Sequence, residues 1–118
     1  IAYCWRSIEG FSKVGSYTGN GNADGTFVYT GFRPDWIMWK RTDSTGGWTI
    51  IDAKRSSHNE VGLNLSANSS SAESPYGQSD LLSNGFKMRN TYGDSNASGA
   101  NYIYLAFAET PFKYSNAR

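Results

Sequence analysis

Between Gly15 and Gly25 the chain reads GSYTGNGNADG, with β-prone runs on either side, Ser12-Lys13-Val14 before it and Thr26-Phe27-Val28-Tyr29 after it. A stretch so rich in Gly and Asn reverses sharply and more than once, through φ > 0 conformations that Gly, Asn and Asp tolerate. That rules out a helix there and directs the chain towards β architecture.

Aromatic and β-branched clusters recur at short intervals: Tyr3–Trp5, Lys13–Tyr17, Thr26–Thr30, Trp36–Arg41, Trp48–Asp52, Val61–Leu65, Phe86–Arg89 and Tyr102–Phe107. Polar turn residues separate them, and no window sustains a helical apolar stripe. The expected fold is all-β: a single domain over residues 1–118, with two antiparallel sheets forming a jelly-roll or lectin-like sandwich of roughly eight to ten strands.

Two hairpins are legible. Trp36–Arg41 and Trp48–Asp52 flank an Asp- and Gly-containing loop, and Asp80–Leu82 and Phe86–Arg89 flank Ser83-Asn84-Gly85, whose Asn-Gly pair suits a type I′ turn. Tyr102–Ala108 alternates, with Ile103, Leu105 and Phe107 on one face and Tyr102, Tyr104, Ala106 and Ala108 on the other. It reads as a central strand covered on both sides, in which Phe107→Ala costs about 3–5 kcal/mol. The opening Ile1–Trp5 reads as a strand already under way, as in a piece of a longer polypeptide.

Eleven basic and ten acidic side chains give a net charge of +1. This balance supplies no electrostatic footprint for nucleic acid. No apolar run approaches the roughly 18 residues of a spanning helix, so membrane insertion is not expected. Cys4 stands alone, which precludes an intrachain disulfide and makes a small buried hydrophobe the expected role.

Nothing in the sequence assembles a catalytic grouping. His58 is the single histidine, in a polar run, and no spacing supplies it with a nucleophile or an orienting partner. Most acids stand in turn contexts, so a paired-carboxylate hydrolase is a third-ranked reading. Asn20, Asn22 and Asp24 echo the start of a calcium loop, but Gly31 stands where its closing Glu belongs, so they read as turn residues and no cofactor is expected. Asn64-Leu65-Ser66, Asn68-Ser69-Ser70 and Asn96-Ala97-Ser98 likewise read as polar loop sequence.

Recognition is better placed in the two long polar stretches, Ser66–Ser79 and Asn90–Asn101, because loops of about 12 residues without structure of their own tend to be functional or disordered. Tyr76, Tyr92, Asp94 and Asn96 in them are the candidate ligand residues. With four Trp and eight Tyr the chain is aromatic-rich, and Trp5, Trp36 and Trp48 are expected in the core. Trp39, of opposite parity to Trp36, is the candidate exposed aromatic platform.

GFSKVGSYTGNGNADGTFVYTGFRP, KRTDSTGGWTIIDAKR, LLSNGFKMR and NASGANYIYLAFAETPFKYSNAR, preceded by YCW, resemble a domain found near the C-termini of large structural proteins of tailed bacteriophages, especially marine ones. The similarity runs from Tyr3 to Arg118, with Thr26 where relatives often have Pro and Trp39 where they tend to have an aliphatic residue. It implies a virion module, such as a fibre knob or a capsid or tail appendage, on the particle surface. The implied partners are further copies of itself, other virion proteins and a host cell-surface glycan. It carries no catalytic or binding residues over. The alternative is a carbohydrate-binding module of a secreted protein.

Overall fold

The structure, a computed structural model, describes residues 1–111, so the last part of the expected domain and of the resemblance lies outside the described residues. Its strands are β1 (Ser12–Thr18), β2 (Phe27–Tyr29), β3 (Pro34–Arg41), β4 (Trp48–Asp52), β5 (Asn64–Ser66), β6 (Ser79–Leu82), β7 (Gly85–Met88) and β8 (Asn101–Ala108). No described residue is helical. The fold is all-β: a five-stranded antiparallel sheet, β1-β8-β3-β4-β5, packed on a three-stranded one, β2-β7-β6.

Strand parity decides what is buried. The register sets Tyr104 beside Gly15 and Trp39, and Ala106 beside Ile37. The inward row therefore comprises Tyr17, Tyr102, Tyr104, Ala106, Ile37, Trp39 and Ile51, facing Val28, Leu81, Phe86 and Met88 of the smaller sheet. Phe86 joins the two, edge-on to Tyr17 at 6.0 Å and to Tyr104 at 5.3 Å. Fully burying side chains of this size contributes roughly 1.5–3 kcal/mol each, the main force closing the sandwich.

The same parity overturns several expectations. Trp39 is fully buried, whereas Trp36 and Trp48 are half-buried on the outer face of the large sheet and Trp5 is 54% exposed. β8 is central, between β1 and β3, but only its Tyr102 side is covered by the second sheet. Ile103 is 41% exposed and Phe107 half-buried between Phe11 and Trp36, so truncating Phe107 costs less than the fully buried range of about 3–5 kcal/mol. Among the described residues, 1–7 form no strand; Ile8 bridges Ser12, and Arg6 and Ser7 accept hydrogen bonds from the Ser12 hydroxyl and the Val14 N–H of β1, while Cys4 is exposed rather than buried. Val61 makes only an isolated bridge to Ser79, and the strand expected around it is the shorter β5.

Both hairpins are present, with one change. Leu82 pairs with Gly85, so the β6–β7 turn is Ser83-Asn84 rather than Asn84-Gly85. Gly85 serves a close approach instead: a Cβ there would stand 2.1 Å from the Val28 carbonyl oxygen on β2.

Candidate functional site

The loop between β7 and β8 has little regular structure but is fastened at nearly every turn. Tyr17 and Tyr102, stacked at 4.9 Å in the core, send their hydroxyls outward. Tyr17 donates to the Ser95 carbonyl at 2.8 Å and Tyr102 to the Gly93 carbonyl at 2.7 Å, while Tyr102 also accepts from the Ala97 N–H at 2.9 Å. Burial, followed by the neighbouring Tyr102, pushes the Tyr17 phenol well above its ordinary pKa; burial raises Tyr102 as well. Both therefore persist as O–H donors at neutral pH. Trp39 Nε1 donates to the Asp94 carbonyl at 3.1 Å, fixing the loop's tip.

Asn96 is the loop's hub. Fully buried, it accepts from the Asn20 N–H through Oδ1 at 3.0 Å, and its Nδ2 faces Asn20 Oδ1, the Asn22 carbonyl and the Asn90 carbonyl at 3.0, 2.8 and 2.7 Å. It thereby ties the Gly-rich run to the β7–β8 loop. Gly19 and Gly25 permit this contact, since a Cβ would stand 2.3 Å from the Ala97 carbonyl oxygen at the first and 2.2 Å from the Met88 carbonyl oxygen at the second. Within the run, Asn20 and Asn22 side chains cap the N–H groups of Asn22 and Asp24. The Asp24 carboxylate pairs with Lys87 at 2.5 Å, which holds its pKa below the ordinary value, first through that hydrogen bond. These donors are turn residues, and no group of three or more His, Cys, Asp or Glu converges as a metal site among the described residues.

The β5–β6 loop approaches from the other side. Ser74 exchanges backbone hydrogen bonds with Asn64, and Gly77 N–H donates to the Gly62 carbonyl at 2.8 Å. This brings Tyr76 edge-on to Tyr92, with ring centroids 5.5 Å apart. Beneath the pair opens a cleft of about 550 Å³, lined by Trp39, Gly47, Thr49, Asn64, Ser66, Ser74, Tyr76, Tyr92, Gly93, Asp94 and Ser95. Thr49 and Ser66 face each other across β4 and β5 on the inward side of the sheet, forming a hydroxyl-rich floor. Among the described residues the arrangement offers two partly exposed rings, several hydroxyls, the Asn64 amide and one carboxylate, a set suited to holding a polar ligand with apolar faces.

Of the residues singled out from the sequence, Tyr76 and Tyr92 are exposed at 59% and 41% and meet in this cleft with the exposed Asp94. Trp39 also lines it, as a buried support rather than a platform, because its ring lies on the inward parity of β3. Asn96 is a correction: it lies outside the cleft and is consumed by internal hydrogen bonds. The floor residues Thr49, Asn64, Ser66 and Ser74 were not legible in sequence, since only the β4–β5 pairing brings them under loops distant in the chain. His58 is exposed, with its Nδ1 2.9 Å from the hydroxyl of adjacent Ser57, and lines no part of the cleft.

A second concavity, about 650 Å³, lies on the opposite face of the large sheet. Val14, Leu105, Met38, Ile50 and Leu65 form an apolar row across all five strands. Tyr3 and Trp5, stacked at 6.1 Å, wall the groove at the β1–β8–β3 end of that row. Alternation in β3 was the available signal, since Trp36 and Met38 share the parity opposite Trp39.

No curated protein and no solved structure matches the chain. One family model does, over residues 1–111, and the chain accordingly belongs to the family described as Domain of unknown function (DUF7483).

Proposed function

We propose that the domain is a non-enzymatic virion module, displayed on the particle surface and used in assembly and in attachment to a host-surface glycan. The observation that carries the glycan reading is the meeting of Tyr76 and Tyr92 over a floor of hydroxyls and the Asn64 amide. Sugar rings present apolar C–H faces and polar edges, which such a cleft complements. Placement in a virion is supported by the resemblance of the sequence. The non-enzymatic reading is supported by the single carboxylate that lines the cleft among the described residues, where glycoside hydrolysis ordinarily uses two. A carbohydrate-binding module of a secreted protein would use the same cleft; the neighbouring domains of the polypeptide discriminate, fibrous or virion domains favouring the first reading and a catalytic domain the second.

Replacing Tyr76 and Tyr92 together by Ser is expected to leave the fold intact, at a cost of about 1 kcal/mol for the lost edge-on pair. Affinity for surface polysaccharide should fall about tenfold or more, as when buried aromatic anchors are truncated. Glycan binding by titration, with circular dichroism as the folding control, checks both. Unfolding would show that the rings are core residues, and undiminished binding would place the receptor site elsewhere.

Assembly with further copies, which the resemblance implies, would use the opposite apolar face, in contact with other virion proteins at its rim. Fibres and appendages are built symmetrically, so one patch meets its equivalent or its complement on a neighbour. Ile103→Glu, placed opposite Lys40 on that face, is expected to convert an oligomer to a folded monomer in sedimentation velocity. A wild-type chain that sediments as a monomer at high concentration would overturn this part of the reading.

A further inference from the structure

The cleft's charge says which saccharides it can hold, an inference that rests on reading it as a glycan site. Among the described residues, Asp94 is the one charged side chain that lines the cleft. Its carboxylate lies against the β3–β4 loop, where a Cβ at Gly46 would stand 2.7 Å from Oδ1. The neighbouring cations, Arg41 and Lys40, are not among the lining residues. The Arg41 guanidinium is bonded to Asp43 at 2.6 Å and reaches the Gly93 carbonyl at 3.3 Å, and its charge also attracts the Asp94 carboxylate from outside the cleft's lining. The Lys40 ammonium is held by the Arg41 and Gly46 carbonyls at 3.0 and 2.9 Å. Among the described residues, no guanidinium or ammonium lines the cleft to receive a uronate, sulfate or sialate group.

We infer that Asp94 makes the cleft selective for uncharged and amino-bearing saccharides and excludes acidic ones. A negatively charged ligand meets a like charge there, offset only in part by Arg41, whose guanidinium is already engaged by Asp43 and the Gly93 carbonyl, whereas an amine or a hydroxyl finds an acceptor. The substitution Asp94→Asn keeps the shape and leaves the Trp39 hydrogen bond in place, because that bond is made to the main-chain carbonyl of residue 94.

The test is a saccharide array in which each uncharged oligosaccharide is matched by its uronate or sulfate derivative and each N-acetylated one by its free amine. Wild type and D94N are applied, both verified as folded by circular dichroism. The expected result is that wild type binds uncharged and amine members about tenfold more tightly than their acidic counterparts, equivalent to about 1.4 kcal/mol. D94N should narrow that gap to about threefold or less by gaining the acidic members. Equal binding of acidic and uncharged partners by wild type, or a gap unchanged in D94N, overturns the selectivity while leaving the glycan reading standing. Binding of no member by either protein overturns the glycan reading and this inference with it.

Discussion

Trp39→Ala is expected to destabilise the domain by about 4–5 kcal/mol, the upper part of the range for truncating a large buried aromatic. Trp39 is fully buried in the core between the two sheets, and its indole N–H also holds the Asp94 carbonyl. Truncation therefore opens a cavity and orphans a loop acceptor at once. A domain of this size has a total stability of roughly 5–15 kcal/mol, so the variant should melt roughly 15–25 °C lower or fail to accumulate. Trp39→Phe separates the two contributions: it keeps most of the apolar contact and should lose only about 1–2 kcal/mol, for the missing donor. Urea unfolding followed by circular dichroism measures both. A loss below about 1 kcal/mol for Trp39→Ala would mean that the ring is not enclosed and that the exposed-platform reading was right after all.

Asn96→Ala is the second large effect, about 3 kcal/mol, although the residue contributes no apolar packing worth naming. Its removal leaves the Asn20 N–H and the Asn22 and Asn90 carbonyls without their partner, each in a buried or part-buried setting. An unsatisfied buried polar group costs about 1–3 kcal/mol, and nearby water recovers some of that for the more open ones. Asn96→Asp sharpens the argument through its pH dependence. The new carboxyl would face three oxygen acceptors, so burial and those oxygens raise its folded pKa above the unfolded value. The destabilisation is then largest at neutral pH and is relieved as pH falls from about 7 to about 4, where the folded state holds the extra proton. Thermal melts of Asn96→Asp at the two pH values check the sign. Stability that fell on acidification more steeply than in wild type would show that the hub is solvated and the assigned contacts are not made.

The alternation of Tyr102–Ala108 was readable at once, and so were the two hairpins, because period two and turn chemistry are local properties of the chain. Which of the two alternating faces met the second sheet was not readable. Both faces of β3 and β8 carry aromatic or aliphatic side chains, so apolar content alone could not choose between Trp36 and Trp39, or between Phe107 and Tyr104. The choice depended on three short strands, β2, β6 and β7, closing over one side. The same limit applied to Gly85. As part of an Asn-Gly pair it looked like a turn residue, and its actual role, admitting the Val28 carbonyl, involves a strand more than fifty residues earlier.

The candidate cleft divides in the same way. Tyr76, Tyr92 and Asp94 could be singled out from sequence, since long polar loops carrying aromatics expose those rings wherever the loops go. Asn96 looked identical to them in sequence and plays the opposite part, because a short amide side chain in a Gly- and Asn-rich fold is as well suited to bonding backbone as to bonding a ligand. By itself the sequence determined the class of structure and which residues stand in long polar loops, because alternation, turn chemistry and loop composition are written within a few residues of one another. Only the tertiary structure decided that Tyr76 and Tyr92 share one cleft, that Trp39 supports it from below, and that Asn96 belongs to the scaffold. Those facts depend on hydrogen bonds and ring contacts between segments distant in the chain, which form once the register of the large sheet has brought the loops together.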